Sequence, residues 1–502
     1  MANRLILAFL VLFALAGLYG LAGLSRAVVL TTSASAGPTG RLVVTSALVG
    51  CPAPGSAGLT GGGIAEASAP ATSVTGQVAL TALNPAVSQP SAASAPARAG
   101  QLTLRTIRAA PAVPKKLAIV KSKAGGLVPT SPARGGLVVA ATGSDAQGFD
   151  VEQLSPGGIP TLRCQAPGSD FWFLTPETTS TRTELYLINT DSTPADVHVG
   201  VQTDSGPRLG AQDSGIIVPP HAMITQSLDK LVRSAKAAAF QVTASAGRIV
   251  AAVRVTGKAA KAGAWLPVAQ EPATAQVLTG LPATGGTREL FIAVPGAAAA
   301  RVKVTAVTPR GSYQPTGGSD IPLLGHSTTG ISLPSLSGHP GSIKISANVP
   351  VTAVLELSGG PPGAPGAFVG GSNPIIEQGV IAASPVGSAG KSQVVLSAPG
   401  HAAEVRISQA VAGVPLTGQA STLIHIAAKS ATKVRIGVSK HSGRGAKLVA
   451  LLLTPVPGSG PVYAARLAAV GGTLQTVLPV VSSPTKIVLP DVWQSLARVL
   501  GS

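Results

Sequence analysis

The chain writes the same pair of strands three times, about 105 residues apart, and nothing else in it constrains the fold as tightly. The pair reads Glu184-Leu-Tyr-Leu-Ile-Asn189 then Asp196-Val-His-Val-Gly-Val201. It returns as Glu289-Leu-Phe-Ile-Ala-Val294 then Arg301-Val-Lys-Val-Thr-Ala306, and again as Gln393-Val-Val-Leu-Ser-Ala398 then Glu404-Val-Arg-Ile-Ser408. In the second strand of each pair the apolar residues alternate with polar ones: Val197, Val199 and Val201; Val302, Val304 and Ala306; Val405 and Ile407. A period of two puts one set of side chains on a buried face and the other in water. Most of the apolar set is β-branched, which suits a pleated surface.

The copies agree further along. Val218-Pro-Pro-His221 reaches Leu228, Leu323-Leu-Gly-His326 reaches Leu333, and Ile426-Ala-Ala-Lys429 reaches Ile436, each seven residues on. Each is read as strand, turn, strand. A closing strand follows: Gln241–Ser245 with Ile249–Val253, Ile343–Ser346 with Val351–Val354, and Leu448–Leu453. Then come an aromatic (Trp265, Phe368, Tyr463) and a short apolar strand that opens the next unit (Val277-Leu278, Val380-Ile381, Val477-Leu478). Some seven short strands per unit predict an all-β chain of tandem antiparallel β-sandwiches of the immunoglobulin or fibronectin type. The units run over 171–276, 277–379 and 380–502. The tail, Lys486-Ile-Val-Leu489 and Asp491-Val-Trp493, either opens a fourth copy or completes the third sandwich, ending in a short helix from Asp491.

The N-terminus reads differently. Leu5 to Leu24 is an uncharged apolar run of 20 residues. As a helix it spans about 30 Å, the thickness of the hydrocarbon layer. A cleavable signal peptide has a shorter apolar core, and the small-residue pattern Ala34-Ser-Ala36 ends twelve residues past the run. Residues 1–30 are therefore expected to be a cytoplasmic stub and an uncleaved transmembrane signal anchor, and 31–40 a linker. Arg4 and the α-amino group favour a cytoplasmic N-terminus. The rest of the chain is then extracytoplasmic.

Residues 41–165 are read as a separate N-terminal β domain whose strands do not align with the repeat. Its runs include Gly76–Ala82, Gly100–Arg105 and Gly136–Ala140, divided by Ala- and Pro-rich segments. The chain has two cysteines, Cys51 and Cys164. In an oxidising compartment two cysteines most simply pair. The bridge closes about 113 residues, which loop-closure entropy values at about 4–5 kcal/mol.

Net charge is +18 and uneven. Residues 67–144 carry eight basic residues and no acid, and 391–447 carry eight and one, Glu404. These two segments supply 8 + 7 = 15 of the 18 charges. Their basic residues, with Arg105, Arg108, Lys115, Lys116, Lys121, Lys123, Lys433 and Arg435 as the candidates, suit an anionic surface such as a wall polymer. The alternative is a solvated basic surface with no partner. Nucleic acid is not expected, because the basic stretches lack interleaved aromatics.

Catalytic signatures are missing where they would be needed. Gly325-His-Ser-Thr-Thr-Gly330 resembles a nucleophile elbow, but its second glycine is one residue late and it sits in a β-repeat. Asp204-Ser-Gly-Pro207 and Asp213-Ser-Gly215 read as hairpin turns. No histidine pair has metal spacing, and Gly58–Gly63 lacks the Lys-Ser/Thr of a phosphate loop. His198 aligns with Lys303 and Arg406 on the polar side of a strand. Trp172, Trp265 and Trp493 are read as caps of cores rather than sugar platforms. No catalytic residue, metal, cofactor or small-molecule substrate is expected.

Several features together resemble one uncharacterised family of actinobacterial envelope proteins. They are the N-terminal anchor, Cys51-Pro-Ala-Pro54, Cys164 with Pro167 and then Asp170-Phe-Trp-Phe173, the Thr183–Asn189 strand, Val218-Pro-Pro-His221 and Ala264-Trp-Leu-Pro267. The resemblance covers nearly the whole chain. It implies a secreted or membrane-anchored β-rich protein and supplies no catalytic residue. The expected function is a non-enzymatic, single-pass envelope protein that serves as a spacer or protein-docking scaffold. Short Pro-rich joins between units suit a rod. The alternative is a module that binds an anionic or glycan wall polymer.

Overall fold

A computed structural model describes residues 41–52, 63–65, 78–82, 101–108, 129–130, 135–154, 160–176, 181–208, 215–257, 263–283, 286–334, 336, 338–358, 366–411, 421–437, 448–470, 473–483 and 486–488. The expected anchor and linker, Lys115 to Lys123, Asp213 and Trp493 lie outside them. Among the described residues the regular structure is β, with two short 3-10 turns, and no helix is long and apolar enough to cross a membrane.

The clearest unit, lobe II, has eight principal strands: Asp170–Thr175, Thr181–Asn189, Ala195–Thr203, Ile216–Val218, Met223–Ser227, Ala238–Ala246, Ile249–Gly257 and Gly263–Leu266. They form two antiparallel sheets. One runs first–sixth–third–fourth and the other fifth–second–seventh–eighth. Phe173, Val197 and Phe240 from the first sheet meet Leu185 and Val253 from the second in one core. The second strand lies beside the fifth and the third beside the sixth, as B with E and C with F in an immunoglobulin domain. The edges differ. The first strand lies beside the sixth rather than the second, and the seventh beside the second rather than the sixth. The connections from first to second and from sixth to seventh therefore each cross between sheets.

Lobe III repeats this order with Ala273–Leu281, Thr287–Val294, Ala300–Thr308, Ile321–Leu323, Ser327–Leu333 and Ala367–Gly370. Its sixth and seventh strands are one continuous strand, Gly341–Ser358, whose first half pairs in one sheet and whose second half pairs in the other. Lobe IV has Gly379–Pro385, Lys391–Ala398, Ala403–Val411, Ser421–Ile426, Ser430–Ile436, Leu448–Pro455, Tyr463–Val470 and Thr473–Pro479, again in the same order. Here the sequence alignment slips. Tyr463 begins the seventh strand, and Val477-Leu478 lies in the eighth strand rather than opening a further unit. Leu478 pairs with Arg466, and Val477 packs where Phe368 does one lobe earlier, so an aliphatic residue replaced the expected aromatic.

The N-terminal domain turns out to be a further copy. Ser46–Cys51, Gln101–Arg108 and Gly135–Thr142 take the places of the first, third and sixth strands. Val78–Ala82, Phe149–Leu154 and Pro160–Arg163 take those of the second, seventh and eighth. A further contact settles the correspondence. In every lobe the stretch after the eighth strand pairs back onto the first: Gly50 with Gln165, Trp172 with Ala269, Leu278 with Gly371, and Gly379 with Ser482. Sequence alignment misses the copy because its strands are spread apart, with eighteen residues between Ala82 and Gln101.

The lobes do not string out as a rod. Val43–Lys486 is one compact unit, because the first sheet of each lobe packs on the second sheet of the next. Val138 of lobe I sits on Tyr186, Ile188, Met223 and Val250 of lobe II. Phe291, Val354 and Phe368 of lobe III join the lobe II core. Val395, Leu467 and Val477 of lobe IV join that of lobe III. Ala382 and Ala383 of lobe IV then join Val151 and Leu154 of lobe I, which closes the circuit. The four eighth strands touch one another in the same cyclic order. Radial closure of this kind protects sheet edges, as in propellers, although these sheets are not meanders.

Closure explains which strands alternate. The third strand of lobe II, on the outside, alternates fully buried residues with half-buried or exposed ones. The first and seventh strands, Phe171–Leu174 and Ile249–Val255, are buried on both faces, one against their own core and one against a neighbouring lobe. Backbones come close at the seams. A Cβ on Gly280 would lie 2.6 Å from Cγ1 of Val477 in the next lobe, and its φ is +106°. Glycine is needed there on both counts.

The turn before the fifth strand shows the repeat at single-residue level. His221, His326 and Lys429 have φ of 50°, 51° and 55°. Holding a non-glycine residue in this left-handed region costs about 1 kcal/mol. Lys429→Gly is expected to raise stability by about 0.5–1 kcal/mol, read as a higher urea midpoint. An unchanged or lower midpoint would show that the lysine side chain contributes more than its backbone strain costs.

Candidate functional site

Two places concentrate charge in ways the core packing does not require. The first is the seam where lobe IV meets lobe I. Asp150 and Glu152 lie on the seventh strand of lobe I, Arg163 on its eighth, and Arg466 on the seventh strand of lobe IV. Arg466 and Glu152 are 0% exposed, and their Nη1 and Oε2 are 2.6 Å apart. Arg466 also donates to the carbonyl of Ala383. Arg163 contacts Asp150 through Nε at 3.1 Å, reaches Glu152 at 3.6 Å, and donates to the Val380 carbonyl at 3.0 Å. The amides of Ala382 and Ala383 donate to Asp150 at 2.9 Å and to Glu152 at 3.2 Å. Two carboxylates and two guanidiniums balance, and they stitch the first strand of lobe IV to the seventh and eighth strands of lobe I. The charge balance and backbone contacts make this a structural lock, although Nε and Nη2 of Arg466 are buried there without a hydrogen-bond partner.

Burial pushes the Asp150 carboxyl up to about 6, against the downward pull of Arg163, while Glu152 adds to the rise. The native state then holds a proton there that the unfolded chain releases near 4. This contribution to stability is present below about 4 and is lost as pH rises through about 6. Asp150→Asn is expected to remove that component of the slope, so wild type loses stability relative to the variant as pH rises from 4 to 7, read from the two melting temperatures across that range. Parallel curves would mean that Asp150 does not titrate in this window.

The second place is the seam between lobes III and IV, where basic side chains come from both sides. Hydroxyls fix which faces meet. Ser342 Oγ on the sixth strand of lobe III lies 2.6 Å from Ser397 Oγ on the second strand of lobe IV. Ser430 Oγ, at the start of the fifth strand of lobe IV, donates to the Thr308 carbonyl at 3.3 Å. Lys344 shares a face with Ser342, and Lys303 pairs with Ser346 on that face. Ala431 pairs with Ser397, so Lys433 and Arg435 share the face of Ser397. All four basic residues therefore stand on sides turned toward the other lobe. Lys303, Lys433 and Arg435 are nonetheless exposed and Lys344 half-buried, so this end of the seam, termed the III–IV cleft below, is open to solvent.

The sequence named Lys433 and Arg435 but not their counterparts. Lys303 is visible in the sequence as a polar strand residue, yet only the closed ring turns its face toward the lobe that carries Arg435. Arg105 and Arg108 lie on the third strand of lobe I, in a sheet that faces lobe II. Cys51 and Cys164 are joined in a disulfide. Trp172 is buried in the lobe II core, and Trp265 lies at the first seam, with its ring 5.3 Å from Tyr186 and the Arg254 guanidinium 5.9 Å above it. Asp191 binds Arg248 at 3.0 Å, which accounts for it as a surface pair.

The architecture is a closed ring of four two-sheet lobes, held by apolar seams and one buried ionic lock. The chain belongs to a family of unknown function (DUF5719), whose pattern matches residues 118–437. That span starts ahead of the sixth strand of lobe I and ends after the fifth of lobe IV, so it contains the III–IV cleft. No curated protein and no solved structure matches the chain.

Proposed function

We propose that the protein is a non-enzymatic, membrane-anchored scaffold on the outer side of the membrane, whose tandem β-sandwiches resemble immunoglobulin or fibronectin domains. The observation that carries the scaffold reading is the way the buried charges are used. Asp150, Glu152, Arg163 and Arg466 are consumed in closing the ring, which leaves a stiff body with its polar surface on the outer strands. A rigid body of this kind presents binding surfaces at fixed separations. The disulfide supports an oxidising compartment, and the Leu5–Leu24 run supports an anchor. The second reading, a module for an anionic wall polymer, is favoured by the III–IV cleft.

Location is tested with C-terminal reporter fusions to the full chain. Alkaline phosphatase is expected to be active and a cytoplasm-dependent fluorescent reporter dark. The reverse pattern would remove the extracytoplasmic reading. The scaffold reading is tested by detergent extraction and identification of what co-purifies: envelope proteins support it, wall polymer supports the second reading instead, and the isolated chain alone counts against both.

A further inference from the structure

We infer that the cleft between lobes III and IV is a binding site for a linear phosphodiester polymer. The inference rests on reading the ring as a non-enzymatic binding body, not on where the protein resides. Two hydroxyl contacts set the register of the walls: Ser342 with Ser397, and Ser430 with Thr308. Along the lobe III wall Lys344 is two residues on from Ser342 and Lys303 pairs with Ser346, a further two on; along the lobe IV wall Lys433 and Arg435 follow Ser430 and Ala431 on the fifth strand.

Like charges facing each other across a seam are unfavourable, and here none of the four is in an ion pair with a carboxylate. Asp320, the nearby acid on the lobe III side, is taken by Arg301 at 2.6 Å. The matching seam between lobes II and III is built otherwise. Its residues corresponding to Lys303, Lys433 and Arg435 are His198, Gly330 and Ser332. The positive cleft is therefore not a consequence of the repeat alone.

An anionic chain lying in the cleft would offset the repulsion that folding leaves there. Lys433 and Arg435, two apart on one strand, are about 7 Å apart, and Lys303 and Lys344, diagonal across neighbouring strands, are about 7–8 Å apart, so each wall offers charge at a spacing suited to a polymer with one charge per repeat. Three of the four are lysines, compact point charges that meet phosphate without the fixed fork that arginine brings to carboxylate. Neither pair brings an aromatic ring, so these four residues do not build the stacking platform by which single-stranded nucleic acids are held.

The probe is a synthetic poly(glycerol phosphate) of about twenty repeats, titrated into the full-length protein in detergent over a range of salt. Polyglutamate and monomeric glycerol phosphate are the comparison ligands. The polymer is expected to bind more tightly than either, with an affinity that falls as salt rises. The double variant Lys433→Ala/Arg435→Ala is expected to lose at least about tenfold in affinity and to show a shallower salt dependence, because two charge contacts are gone. A control pair, Arg406→Ala/Lys230→Ala, removes the same charge elsewhere and is expected to change affinity less than about twofold. Absence of binding, equal loss in both pairs, or polyglutamate binding as tightly as the phosphate polymer would each overturn the proposal. Polymer length is followed by gel throughout: tight binding with shortening of the polymer leaves the cleft standing and overturns the non-enzymatic reading instead.

Discussion

Arg466→Met is expected to lower the stability of the folded chain by about 3–5 kcal/mol, the cost of stranding a buried charge. The side chain is 0% exposed and bonded to Glu152 and to the Ala383 carbonyl. Without it, Glu152 keeps the Ala383 amide and a longer contact to Arg163, but loses its short ionic partner. The effect should be local before it is global. Hydrogen exchange at the Ala382 and Ala383 amides is expected to accelerate, while the amides at the seam of lobes II and III stay protected. Adding Glu152→Leu to Arg466→Met is expected to recover part of the loss, because a pair replaced by apolar groups leaves no unpaired charge. If the double variant is less stable than Arg466→Met by the full cost of Glu152→Leu alone, the two residues are not coupled and the seam is held by its apolar contacts.

Much of the architecture was legible in the sequence because a period of two survives drift. Val302, Val304 and Ala306 had to face a core whatever the register of their neighbours, and they do. The His221, His326 and Lys429 turns were legible as corresponding positions, and their shared left-handed backbone explains why the spacing to Leu228, Leu333 and Ile436 is kept. What alternation does not encode is what lies on the far side of a strand. The runs Leu185–Ile188, Leu290–Val294 and Leu451–Leu453 are apolar at successive positions, the mark of a strand covered on both faces. That signal was present, but it does not say whether the second cover comes from the same lobe, the next one or another molecule. The fourth copy was hidden for a different reason. Long insertions between its strands cost little once its ends are held, so spacing drifted where pairing did not. The sites divide in the same way. Lys433 and Arg435 announce themselves by composition. Arg466 is one charge in Ala464-Ala-Arg-Leu-Ala468, and such an isolated charge in an apolar strand has to have a partner, but its partner lies 314 residues away.

Removing the disulfide is the second large effect. Cys51→Ala/Cys164→Ala is expected to cost about 4–5 kcal/mol, because the bridge closes 113 residues of chain. Both sulfurs lie in the lobe I core, and alanine leaves no buried hydroxyl behind. The bridge ties the end of the first strand to the stretch after the eighth, where the other lobes are tied by backbone pairing alone. Lobe I has that pairing too: Gly50 and Gln165 exchange amide bonds at 2.8 and 3.0 Å. The covalent link therefore supplements a contact that suffices elsewhere, and lobe I needs the supplement because its strands must be gathered across longer connections. Reductant is expected to bring the wild-type unfolding midpoint down to that of the variant and to leave the variant unmoved. Lobe I supplies one side of the ionic lock, so its loosening should also expose the Ala382 and Ala383 amides, whose hydrogen-bond partners are Asp150 and Glu152. A variant that keeps the wild-type midpoint with those amides still protected would mean that the seams alone hold lobe I in the ring, and that the cysteines serve some purpose other than its closure.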